Sequence, residues 1–379
     1  MAVPISFERS GLPSSLRRYG HVAVTWKNAT IIWGGFIIEE PNSDTRSTIY
    51  YHLSGEWLGQ ETTGVLPDSS HYCQGHVIND TMYVVRSYAM YMLDLNAWTW
   101  TSIVTPGAMP IIIDMSTWTH GENIYCYGST GGGNKLYCFN CGSNSWQVLD
   151  QKGEIPSPRS RHLAIARNKE VFLFGGNGEG PEEVMFNDLH VLDMRAMRWR
   201  KVHGNSSARD VPSRKSKSSI CQYSQSLTRI SESAAVLYDS EECWILKLDS
   251  AKNLRNPWKR IQSNSMRYEH RAVLEPVSQR LWIIGGLGRP DMLKMEFKLS
   301  LKELAIDCAA RSICPLDPRM SSEELPRQLR NDIDARIAEV GEEYLLGQHK
   351  RCQFCLPSAE PTNKRQRIIH DERIQYLSP

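Results

Sequence analysis

Two clusters of residues in this sequence have the types and spacing for chemistry. His349, Cys352 and Cys355 form His-x-x-Cys-x-x-Cys, an array of soft ligands of the kind that hold zinc. A structural zinc takes four ligands, and no second cysteine pair stands nearby, so no metal is assigned. Lys350 and Arg351, then Lys364, Arg365 and Arg367, make two basic clusters separated by residues 352–363. That spacing is the one of a bipartite nuclear-import signal, and a solvated, disordered basic tail is the competing reading. The chain has no glycine-rich phosphate loop, nucleophile elbow or His-Glu-x-x-His, so no catalytic residue and no cofactor are assigned.

Composition narrows the classes further. Hydrophobic residues make up 41% of the 379, enough for a sizeable core, and the net charge is +2. Nearly balanced charge gives no global electrostatic case for nucleic acid or a membrane surface. The ten cysteines (73, 126, 138, 141, 221, 243, 308, 314, 352, 355) show no small-scaffold spacing. Met1–Arg9 has no apolar core, so no signal peptide is read, and no run reaches the roughly 18 apolar residues of a membrane helix. The expectation is an intracellular soluble protein, cytoplasmic or nuclear, with reduced and mostly buried thiols.

Internal repeats organise residues 1–299. Ile31-Ile32-Trp33-Gly34-Gly35, Val171-Phe172-Leu173-Phe174-Gly175-Gly176 and Leu281-Trp282-Ile283-Ile284-Gly285-Gly286 are apolar runs, each stopped by a glycine pair. They read as buried strands ending in turns that need unusual φ angles. Each is preceded by a histidine: His21, His162 and His270. Downstream come Trp57, Trp100, Trp146, Trp199 and Trp258, spaced by 43, 46, 53 and 59 residues. This pattern resembles the kelch family, whose repeats of about 50 residues each form one four-stranded blade of a β-propeller.

The expected fold is therefore all-β, a six-bladed kelch propeller over residues 1–299 with a short C-terminal helical appendage. Three blades are degenerate: Arg86-Ser87 and Gly128-Ser129 replace the glycine pair in blades two and three, and Ser216–Ser233 of blade five contains none. Seven blades follow if the N-terminal strand pairs elsewhere. In the six-bladed reading Val3–Phe7 adds the outer strand to the last blade, beside Leu293–Leu299. The resemblance also raises catalysis, since a few kelch propellers are enzymes. His71-Tyr72-Cys73 is the one local hint of a copper site and fits strand register better. Glu183, Asp188 and His190 miss the Glu-x-x-x-Asp-x-x-x-His iron spacing.

Residues 300–347 switch to helical periodicity. Ser300 and Glu303 are spaced as a capping box, and Leu301, Ala305 and Ala309 fall at i, i+4 and i+8. This resembles the BC box by which substrate receptors engage Elongin C, which assigns Leu301, Leu304, Ala305, Cys308 and Ala309 to that contact. Leu325-Pro326-x-x-Leu329 resembles the cullin-2 box that follows it, which assigns Leu325, Pro326 and Leu329 to the cullin. Residues 348–379 read as a disordered basic tail.

The resemblance as a whole is to kelch-domain substrate receptors of cullin-2 RING ubiquitin ligases. It implies a non-enzymatic receptor whose partners are Elongin B/C, cullin-2 and protein substrates or their C-terminal peptides. In that family arginines hold a terminal carboxylate, and a basic residue commonly follows the glycine pair. Here Phe36, Asn177 and Leu287 stand at those positions, and the Arg-Ser-Trp-His pocket loop is replaced by Arg214-Lys215-Ser216-Lys217. Arg18, Arg159, Arg161, Arg214, Lys215 and Arg267 all lead into first strands, which converge on the channel, and are the substrate-binding candidates. The alternative function is a kelch interaction scaffold, nuclear or cytoskeletal, without a ubiquitin-ligase role.

Overall fold

A computed structural model describes residues 3–68, 71, 73–105, 110, 115–128, 133–178, 184–203, 212, 225–239, 242–248, 257–261 and 267–298. Six antiparallel sheets stand in a ring, each the meander expected for one repeat. Blade one comprises Val22–Trp26, Ala29–Trp33, Thr48–Leu53 and Glu56–Glu61. Blade two comprises Gln74–Ile78, Thr81–Val85, Met90–Asp94 and Thr99–Ile103. Blade three comprises Thr117–His120, Asn123–Tyr127, Leu136–Asn140 and Ser145–Leu149, and blade four Leu163–Arg167, Glu170–Gly178, Met185–Asp193 and Arg198–His203. Blade five comprises Ser226–Ser231, Ala234–Tyr238, Cys243–Lys247 and Trp258–Ile261. Arg271–Leu274, Leu281–Ile284 and Met292–Lys298 form blade six, whose outermost strand is the N-terminal Val3–Ser10. The first strands of successive blades touch around the ring, blade six against blade one included, so they wall the channel.

The second strand of each blade is the apolar run of the sequence. Ala29–Trp33 and Ala234–Tyr238 are buried throughout, because a propeller packs both faces of each blade against its neighbours. Six apolar clusters result, one at each junction; Trp33 and Trp100 meet at 5.0 Å between blades one and two, for example. The N-terminal strand closes the ring, so six blades rather than seven follow from its pairing with Met292–Lys298. In blade five the second strand is Ala234–Tyr238, which follows the segment Ser216–Ser233, and Asp239 stands where a glycine would. Blade two replaces the glycine pair by a tight turn in which Arg86 N–H donates to the Ala89 carbonyl at 2.9 Å. The segment 300–347 expected to be helical, with its Elongin C and cullin assignments, and the basic tail lie outside the described residues.

Candidate functional site at the channel mouth

The three full repeats build one end of the channel by the same local device. Each enters its first strand through Arg-x-x-His: Arg18–His21, Arg159–His162 and Arg267–His270. The third residue of each unit has positive φ, Gly20 at 63°, Arg161 at 56° and Glu269 at 57°. The histidine then packs on the second glycine of the pair. A Cβ on Gly35 would lie 2.7 Å from His21 Cβ, and one on Gly176 or Gly286 would lie 2.8 or 2.7 Å from a backbone carbonyl of the entry segment. The glycines are needed for this approach as well as for their φ of 77°, 106° and 103°.

The arginine of each unit turns into its blade. Arg18, Arg159 and Arg267 are at most 2% exposed. Their Nη1 groups donate to the carbonyl of the first glycine: Gly34 at 2.8 Å, Gly175 at 2.9 Å and Gly285 at 3.1 Å. Arg159 also forks onto Asp188 at 2.6 and 3.2 Å, and Arg267 Nη2 donates to Asp291 at 2.6 Å. Among the described residues Arg18 makes no such ion pair; the Tyr50 ring lies 5.0 Å from its guanidinium, and burial lowers its pKa to about 10. These three guanidinium groups hold turns.

Arg161 is placed differently. It lines a cavity of about 480 Å³ at the glycine-pair end of the channel, to which all six blades contribute. Arg271, the residue after His270, lines it too, and among the described lining residues these are the two charged side chains; no carboxylate is present. Serine, threonine and glutamine supply the remaining polarity. Gln74 Oε1 accepts from both the backbone N–H and the Oγ1 of Thr117, each at 2.8 Å, tying blade two to blade three. Ser226 Oγ lies 2.9 Å from His270 Nε2. Burial depresses the neighbouring histidines: His76 to about 4, and His21 and His270 well below the ordinary imidazole value, with nearby arginines adding to the last two. The wall thus presents guanidinium charge and neutral donors, a lining suited to an anionic group such as a carboxylate.

Arg214 and Lys215 lie outside the described residues. Arg271 was not singled out from the sequence, although its place directly after the histidine of the Arg-x-x-His unit, entering the inner strand, is a readable signal. Phe36, directly after the glycine pair of blade one, stacks between Tyr19 at 5.1 Å and His71 at 3.5 Å on the same rim. Among the described residues no cluster of three or more His, Cys, Asp or Glu has the arrangement of a metal site. None of their helices is long and apolar enough to cross a membrane.

Comparison with known proteins agrees with this architecture. The chain is 23% identical over 210 residues to Kelch domain-containing protein 3 of Homo sapiens, covering 49% of this chain and 54% of that protein. It is 29% identical over 206 residues to Acyl-CoA-binding domain-containing protein 4 of Arabidopsis thaliana, covering 48% and 30%. Over 120 residues it is 29% identical to Kelch domain-containing protein 10 of Rattus norvegicus, covering 30% and 28%. The chain spans about half the length, or less, of the curated relatives it matches. Residues 20–231, more than half the chain, match the KLHDC2/KLHL20/DRC7 Kelch-repeats domain, and the protein belongs to that kelch-repeat family.

Proposed function

We propose that this chain is the substrate-recognition subunit of an Elongin B/C–cullin-2 ubiquitin ligase, holding substrate in the cationic cavity at the channel mouth. A kelch-repeat propeller is suited to protein–protein interaction, and the cavity supplies the chemistry for it. The observation that carries the reading is a pocket with two arginines and no carboxylate among its described lining residues. Its volume of about 480 Å³ admits a few residues of extended chain, which favours a chain end with its carboxylate over a folded surface. The polarity of the blades supports the same reading. Met292–Lys298 runs from the glycine-pair end to the opposite end, so the chain leaves for the BC-box-like and cullin-box-like segments away from the mouth. Substrate and ligase machinery would then occupy opposite ends, and the receptor would act by raising the local concentration of substrate near the ubiquitin-loaded enzyme.

Affinity purification of the full chain beside Leu301→Ser, probed for Elongin B/C and cullin-2, tests the ligase role. Burying one leucine contributes about 1.5–3 kcal/mol, so the variant should lose at least about tenfold in Elongin C affinity. Failure of the folded wild-type chain to capture Elongin B/C removes the ligase reading and leaves the interaction scaffold.

A further inference from the structure

The last described strand delivers the chain to a defined place. Lys298 pairs with Val3 at the end of blade six opposite the cavity. Residue 301 follows three positions on, within about 10 Å of that edge even at full extension. There, on the blade-five side of blade six, Phe297 is partly buried against the core and Phe7 is 48% exposed. Phe7 stands opposite Met295, and Met295 and Phe297 alternate onto one face, so the two rings share it. Exposed Arg9 continues the same face.

Residues 301–313 carry two apolar stripes at helical spacing. Leu301, Leu304, Ala305, Cys308 and Ala309 form the one assigned to Elongin C. Ile306, Ala310 and Ile313 fall at i, i+4 and i+7, a spacing that in a helix would set them about 140° from the first stripe. One partner groove cannot cover both stripes of a helix. We propose that this second stripe docks on the Phe7–Phe297 edge of blade six, so that the occupant of that exposed face is the chain's own segment 301–313. The two intervening residues hold segment and face together at an effective concentration of order mM, which favours this occupant over a second copy or an outside protein. Charge agrees, since Glu303 and Asp307 border the stripe on one side and Arg9 borders the face. The docking goes beyond the ligase reading and does not depend on it; its consequence is a fixed direction for whatever binds the first stripe.

Hydrogen exchange of the full chain without Elongin B/C tests the proposal. Amides of residues 303–313 are expected to exchange slower than unprotected ones, independently of protein concentration. Phe7→Ser and Ile306→Ser should each accelerate them about tenfold, the effect of losing one partly buried apolar contact, while Leu301→Ser leaves them unchanged. Phe7 is half exposed, so an unaltered melting temperature for Phe7→Ser separates lost docking from lost fold. Unprotected amides in the wild type, protection that survives Phe7→Ser, or protection that grows with concentration would each overturn it. Protection that responds to Phe7→Ser in a chain that captures no Elongin B/C would retain the docking and reject only the ligase role.

Discussion

Arg161 holds φ at 56° at the wall of the cavity, where its counterpart in blade one is Gly20. An L-residue in that conformation costs about 1–2 kcal/mol, a cost that glycine avoids. Side chains kept in this way cluster at sites of function. Arg161→Gly is therefore expected to leave stability unchanged or raise it by up to about 1 kcal/mol, the balance of relieved strain and added unfolded-state entropy. The same variant should weaken binding of peptides with a free C-terminal carboxylate at least about tenfold, as loss of a charge-assisted hydrogen bond does. Urea unfolding and fluorescence anisotropy, with a C-terminally amidated peptide as control, check both parts. Equal binding of free and amidated peptides would reject carboxylate recognition. The sequence marked Arg161 as a candidate beside Arg18, Arg159 and Arg267 because all four lead into first strands. It could not separate them, since a guanidinium's burial depends on carbonyls and carboxylates brought from other strands.

Among the elements, the turn after the second strand repeats with one informative gap. Asp188 directly precedes Leu189, the partner of Phe174, and Asp291 directly precedes Met292, the partner of Ile284. The equivalent residue of blade one is Thr48, before Ile49 opposite Trp33, and its hydroxyl lies 2.6 Å from Glu61 instead. Among the described residues Arg18 is consequently buried without the carboxylate that its counterparts have. Thr48→Asp combined with Glu61→Gln, which removes the carboxylate that the new one would otherwise face, should supply it and stabilise the propeller by about 1.5–3 kcal/mol, the range for a hydrogen bond to a charged group. A denaturant midpoint that stays or falls would show that the blade-one turn cannot bring the two groups together. The apolar strands and glycine pairs of blades one, four and six were legible because φ and burial restrict residue type at those positions. Blade five carried no glycine signal, because Asp239 follows its second strand where the full repeats have glycine.

At the scale of the whole molecule, burial leaves a set of histidines that the fold holds neutral. His76 and His190 are lowered to about 4, and His21 and His270 well below the ordinary value, with desolvation the leading cause in each. The unfolded chain binds protons at these sites from pH ~6.5 downward while the folded chain does not, so their contribution is intact above ~6.5 and is lost as pH falls toward 4. Each such histidine contributes a slope of up to about 1.4 kcal/mol per pH unit across that window. Urea midpoints should therefore drop between pH 6.5 and 4.5, and the drop should shrink in His76→Gln; a flat profile would mean that the rings titrate freely. What the sequence determined by itself was whatever the local backbone demands: apolar strands of fixed length, glycines at positive φ, a repeat of about 50 residues and hence a propeller. The choice of six blades over seven, made by the pairing of Val3–Ser10, the inward turn of three arginines, and the placing of Arg161 and Arg271 on one cavity were decided only by tertiary structure. Ring closure joins residues up to 295 positions apart and the cavity joins two that stand 110 apart, while the glycine carbonyls and carboxylates reached by the buried arginines are 16 to 29 positions away; local spacing alone does not decide such contacts.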